Sequence, residues 1–204
     1  MHSSLVTYQR QSPNITSPRN AKIDTVTVHH VAGDASVEAL GALFAAPERQ
    51  ASANYGIGSD GRIACYVEEE DRSWCSGDRE NDHRAITIEV ANSGGAPDWP
   101  ISDLAWNSLV NLCEDICRRY DFRLRFTGDK TGNLTMHKWF QATECPGPYL
   151  SNRFPELERL VNSRLDGAAF YRVQVGAFRE KANAEALQKK LESQGYDAII
   201  VPVK

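Results

Sequence analysis

The residues able to do chemistry gather at two places along the chain. His29 and His30 stand side by side shortly before Gly33, and His137 is followed eight residues later by Cys145. One histidine from a strand end, one from a loop and that cysteine would offer two neutral imidazoles and a thiolate, donors that suit Zn²⁺. Three protein ligands leave a fourth position open for water, as in a catalytic rather than a structural zinc site. One anionic ligand leaves roughly one positive charge on the centre, which draws the pKa of a bound water toward ~7. Spacing alone does not establish such a site, because a His and a Cys eight apart occur in many loops without a common role. Of the remaining histidines, His2 lies in a polar N-terminal stretch and His83 in what reads as a charged loop, 78–84.

These side chains need elements to hold them. Residues 24–28 alternate polar and apolar and read as a strand ending at the histidine pair. Residues 85–90 (Ala-Ile-Thr-Ile-Glu-Val) read as a second, mostly apolar strand, and Glu89 near its end is a carboxylate whose burial needs a reason. Between them, Ser36 can cap a short helix with Val37, Leu40, Gly41 and Phe44 on its apolar face, stopped near Pro47. The Ser59-Asp60-Gly61 turn joins 54–57 to 62–67 as a hairpin. Ser102 begins a helix to about Tyr120, with Trp106, Val110, Cys113, Cys117 and Tyr120 at helical spacing. A loop over 127–134 leads to His137, and a last helix is expected from about Pro155 to Leu165.

Composition removes several classes. With 41% hydrophobic and 25% charged residues among 204, the chain is long and apolar enough for one cored domain plus a smaller piece. The net charge of -4 argues against a general electrostatic grip on nucleic acid. No apolar run approaches the ~18–20 residues that cross a bilayer, so no transmembrane segment is expected. The start of the chain lacks a cationic, then apolar, secretory leader, which implies synthesis in the cytoplasm and release by some other route. Five cysteines, an odd number, argue against a disulfide framework. Cys65, Cys113 and Cys117 read as core thiols, whereas Cys75 has no obvious place.

The run Val26-Thr27-Val28-His29-His30, then Ile86-Thr87-Ile88-Glu89-Val90, then His137 with Thr143-Glu144-Cys145-Pro146-Gly147 resembles the zinc amidases related to peptidoglycan recognition proteins and the small phage lysozyme-type amidases. The similarity spans about residues 21–165 and includes Ser52-Ala53-Asn54-Tyr55 and Ser73-Trp74-Cys75-Ser76-Gly77. It implies zinc on His29, His137 and Cys145, with His30 on the opposite face of its strand. It implies Glu89 as general base and Thr143 as a hydroxyl near the developing oxyanion. The implied reaction is hydrolysis of the amide between N-acetylmuramic acid and L-alanine of peptidoglycan. Asn54 and Cys75 stand where relatives often carry histidine in the substrate groove, so a different substrate preference is expected. A recognition module that binds without cutting and a cytoplasmic recycling amidase are the rival readings. The intact His-His-Cys set weighs against the first, and Cys145 in place of the Asp expected in the recycling branch weighs against the second.

Residues 166–169 (Asp-Gly-Ala-Ala) read as a linker. After them come a strand (170–175), a helix (183–194) and a strand (198–203), a βαβ unit too small to bury much surface alone. Tyr171 to Phe178, with Ala184, Leu187, Leu191 and Gly195-Tyr196, resembles the first half of the SPOR domain, which binds glycan strands stripped of their peptides. Pairing of two copies through its open edge, giving a homodimer, is one expectation. The whole chain then reads as an α/β protein: a 1–20 N-terminal extension, a 21–165 catalytic domain with a central mixed β-sheet flanked by helices and the zinc site at the strand ends, and a 170–204 βαβ segment. A phage or prophage endolysin, released to the wall through a holin-type pore, is the setting these features suggest together.

Overall fold

A computed structural model of the chain describes residues 1–167, 175–196 and 198–200. It forms two compact units, 1–168 and 169–204. In the first, β1 (Tyr8–Gln9) and β2 (Ile15–Thr16) are short, β3 (Thr25–His30) is a fully buried six-residue strand, and α1 (Val37–Phe44) follows with the Ser36 hydroxyl accepting from Ala39 N. The hairpin is β4 (Tyr55–Ile57) and β5 (Ile63–Cys65), followed by β6 (Arg72–Ser73), α2 (Arg79–Arg84) and β7 (Ala85–Val90). Then come α3 (Asp103–Tyr120), β8 (Leu134–Met136) and α4 (Gly147–Leu165). The main sheet runs β1-β5-β4-β7-β3-β8, antiparallel only between β4 and β5, while β2 and β6 pair separately. The mixed α/β architecture agrees with the pattern of the sequence.

Strand alternation sorts the sheet into two unlike faces. Val26, Val28, Ile86, Ile88 and Val90 share one core with Leu109, Leu112 and Ile116 of α3 and with Leu150, Phe154, Leu157 and Val161 of α4. The other face carries threonines. Thr27 Oγ1 lies 2.8 Å from Thr135 Oγ1 and accepts from Asn81 Nδ2 at 3.0 Å, and Thr87 Oγ1 lies 2.7 Å from Ser73 Oγ. These hydroxyls are buried and paired, which removes the cost of placing polar groups inside. Towards β4 and β5 an apolar cluster of Val37, Leu40, Phe44, Ala53, Ala64 and Tyr66 packs α1 onto the sheet.

Four expectations are corrected. The 78–84 stretch is not a loop: Asp78 caps α2 by accepting from Asn81 N at 2.9 Å, and His83 sits in that helix with Nδ1 taking a hydrogen bond from Asn20 N. The last helix starts at Gly147 rather than near Pro155. Pro148 in its first turn is the position where a missing N–H costs nothing. Pro155 is carried inside the helix, where the buried ladder Leu150, Phe154, Leu157 and Val161 outweighs its lost bond. The first twenty residues, expected as an extension ahead of the domain, belong to the first compact unit: β1 pairs in parallel with β5, and Ser3, Ser12 and Asn14 are buried. Asn54 is fully buried rather than groove-lining, exchanging hydrogen bonds with Thr87 and donating to Val67 O. Beyond these, β8 is a strand of three residues, too short for alternation to reveal.

In the second unit, α5 (Lys181–Ser193) is the expected helix, shifted by two residues at its start and one at its end. The flanking strands expected at 170–175 and 198–203 lie, apart from 175 and 198–200, outside the described residues. Among the described residues no helix is long and apolar enough to cross a membrane.

Candidate metal centre and catalytic pocket

His29 and Glu89 sit at the C-terminal ends of β3 and β7, directly opposite each other in the parallel register. Both follow the threonines on the polar face, as the two-residue period requires. His30, one residue on, points to the other face, where its ring meets Trp99 edge-on at 5.4 Å and packs beside Gly147. Sequence reasoning therefore assigned the two histidines to opposite faces correctly.

His137 begins the turn that follows β8, and its ring centroid lies 4.7 Å from that of His29. Cys145, 8% exposed, arrives from the loop ahead of α4. One ligand atom from each of His29, His137 and Cys145 lies within 4.8 Å of the others. The loop is tied at both ends: Lys138 N donates to Cys145 O at 3.0 Å, and Cys145 N donates to Thr143 Oγ1 at 3.2 Å. Thr143 borders the same pocket, with its hydroxyl oxygen engaged by that local bond and its proton left to donate.

The donor set fits zinc on the structure's own terms. His29 is 1% exposed, yet its Nε2 has no hydrogen-bond partner, a cost that a metal bond would remove. Burial, and then the proximity of His137, hold His29 well below the usual imidazole range, so it is the neutral ligand a metal needs. His137 Nε2 lies 3.2 Å from Gln141 Oε1, the kind of partner that fixes a ligand's ring and leaves its other nitrogen free. Cys145 Sγ accepts from His30 N at 3.3 Å. Burial pushes the Cys145 thiol up, with Glu89 adding to the effect, so the thiolate forms at neutral pH only when a cation is bound.

Glu89 stands beside this set with a different character. Burial pushes its carboxyl up to about 8, against the opposing pull of the Arg49 guanidinium, and Oε2 has no partner. Cys75 Sγ approaches Oε1 at 3.9 Å. The site opens into a groove bordered by Leu43, Phe44, Arg49, Trp74 and Cys75. Gln141 and Arg49 were not singled out from the sequence. Gln141 had a usable signal, four residues beyond His137, whereas Arg49 reaches the site only through the fold.

Comparison with known proteins gives a consistent picture. Residues 19–148 match the family model described as N-acetylmuramoyl-L-alanine amidase, and residues 167–204 match the SPOR domain. N-acetylmuramoyl-L-alanine amidase CwlM of Bacillus licheniformis is 44% identical over 109 residues, 43% of this chain and 42% of that protein, so the chain spans less than half of that relative's length. In fold, the chain is similar to the Staphylococcus aureus hydrolase AmiA in complex with its ligand (TM-score 0.63, 16% identity, 79% of this chain and 85% of that one). It is also similar to AmpD (TM-score 0.58, 21% identity, 76% and 95%).

Proposed function

Since the chain belongs to the N-acetylmuramoyl-L-alanine amidase family, we propose that it hydrolyses the amide between N-acetylmuramic acid and L-alanine in peptidoglycan, with zinc on His29, His137 and Cys145 and Glu89 as general base. The observation that carries this reading is the register of β3 and β7, which sets the half-buried Glu89, whose Oε2 has no partner, beside the buried His29, whose Nε2 has none. Zinc, when bound, supplies Lewis acidity that polarises the scissile carbonyl and makes water acidic enough to attack at neutral pH.

The chain's own residues do the rest. Glu89 takes the proton of the attacking water on its free Oε2 and returns it to the departing L-alanine nitrogen. Once ionised, a carboxylate whose pKa is raised by burial is a stronger base than an exposed one, and the Arg49 charge across the pocket favours the ionised form. Thr143 donates its hydroxyl proton toward the oxygen that gains charge. Gln141 keeps the His137 ring turned toward the ligand set. Substrate enters along the groove past Leu43, Trp74 and Cys75. A recognition module that does not cut would have no use for the neutral-imidazole and thiol set or for the poised carboxylate.

The SPOR-matching segment, residues 167–204, is assigned to holding glycan strands at the wall, which keeps the catalytic unit near its substrate. Val175, Phe178, Tyr196 and Ile199 are exposed apolar side chains there, and pairing of two copies would cover them. Light scattering that gives a monomer removes the pairing and leaves the wall-binding role standing.

Digestion of purified sacculi with and without chelator, followed by mass spectrometry, tests the main reading. Free peptides that begin with L-alanine, lost on chelation and restored by zinc, are the expected result. Binding to sacculi with no release of peptide, zinc included, refutes it.

A further inference from the structure

The ligand set of His29, His137 and Cys145 leaves Cys75 and Glu89 unaccounted for as donors, although they line the same groove. Cys75 Sγ lies 3.9 Å from Glu89 Oε1, while Glu89 Oε2 and His29 Nε2 are buried without partners. One ligand atom each from His29, Cys75 and Glu89 lies within 4.8 Å of the others. The edge of a tetrahedron with zinc–ligand bonds of this kind is about 3.3–3.8 Å, so side-chain movements of about 1 Å would close the set on an ion. Cys75 is the one cysteine of the five that is not buried, so an ion can reach it from the groove.

The thiol is also presented by a stiff support. The Asp82 carboxylate, itself 1% exposed, accepts from Cys75 N at 3.2 Å, from Ser76 N at 3.1 Å and from Ser76 Oγ at 2.6 Å. That clamp fixes the backbone of the loop at the residue whose sulfur faces Glu89. Preorganised donors of this kind lower the ordering cost of taking up an ion.

We propose that the groove holds a second divalent-cation position, built on Cys75 and Glu89, which His29 completes only when the first position is empty. Each imidazole nitrogen serves one ion. With the first position filled, the second therefore rests on Cys75, Glu89 and solvent, and it binds more weakly. The thiolate donor selects a borderline or soft ion, zinc or cadmium, over magnesium or calcium. Binding releases the Cys75 proton to solvent and engages the Glu89 carboxylate. Excess zinc is then inhibitory, because the ion occupies the group assigned to proton transfer. That consequence rests on the catalytic reading of Glu89, whereas the binding itself does not.

The experiment is a Cd²⁺ titration of the metal-free full chain, followed by thiolate-to-cadmium absorption. The expected wild-type result is one thiolate engaged by the first equivalent and a second engaged in excess. Cys75→Ser keeps the first step and removes the second. A single step in the wild type, or a second step that survives in Cys75→Ser, overturns the proposal. A parallel sacculus assay keeps the two readings apart. Inhibition by excess zinc that is relieved in Cys75→Ser supports the second position. Failure to cleave with one equivalent of zinc counts against the amidase reading and leaves the cadmium result unaffected.

Discussion

On one side of the β3–β7 ladder, Val26, Val28, Ile86, Ile88 and Val90 are fully buried in the core shared with α3 and α4. On the other side, one residue out of step, Thr27, His29, Thr87 and Glu89 carry polar atoms into the interior. The threonines are satisfied by one another and by Ser73 and Asn81, but the pair at the strand ends is not: His29 Nε2 and Glu89 Oε2 have no partner. The same backbone thus supports an apolar face that stabilises the fold and a polar face that ends in unmet bonding capacity, although His30 Nδ1 on the first face is also buried without a partner. The neighbouring histidines show the difference most sharply. His29 is one of the proposed ligands, whereas His30 reaches Cys145 Sγ through its backbone N–H and packs its ring on Trp99.

The largest effect is expected from breaking the polar face at its metal end. His29→Ala should abolish stoichiometric zinc binding and reduce peptide release to background, while His30→Ala retains its zinc, as metal analysis of the two purified variants will show. If His30→Ala loses the metal instead, the assignment of faces is wrong. Glu89→Gln comes next: zinc content is unchanged and turnover falls by about 10²–10⁴-fold, the usual contribution of a proton-transferring group. Near wild-type turnover in that variant would remove Glu89 from the reaction.

The apolar face should respond in stability and not in chemistry. Phe154→Ala deletes a ring that is 1% exposed and should cost about 3–5 kcal/mol in denaturant unfolding, with zinc stoichiometry kept in the folded fraction. Gln141→Ala, which removes the partner of His137 Nε2, should weaken zinc affinity by about 10–100-fold in a chelator competition. The smallest change is expected at Ser102→Ala, which loses the 3.0 Å cap to Ala105 N and the hydrogen bond to Ser59 O, about 1–2 kcal/mol of stability, with affinity and turnover untouched. A fall in turnover there would mean that the two faces are coupled more tightly than their hydrogen bonds indicate.

Much of this was readable from the residues because the information is local. Alternation in 24–28 and 85–90, Ser36 and Ser102 as caps, and the helical spacing of Trp106, Val110, Cys113 and Cys117 each follow from geometry within a few residues. The resemblance named His29, His137 and Cys145, and alternation along β3 separated His29 from His30. What failed was also local: Asp78 as a cap, three-residue β8, and Pro155 taken as the start of a helix that begins at Gly147. A propensity signal competes there with tertiary burial, and burial wins.

Only the tertiary structure decided the rest. The parallel register of β3 with β7 places His29 opposite Glu89, sixty residues away, and no pattern within either strand encodes that register. The edge pairing of Tyr8–Gln9, the burial of Asn54, the reach of Arg49's charge to Glu89, and the meeting of Cys75 with that carboxylate are likewise long-range facts. Residue type and spacing determined which groups could bind a metal and move a proton. Their mutual distances, burial and missing partners arise only when strands far apart in the chain are brought side by side.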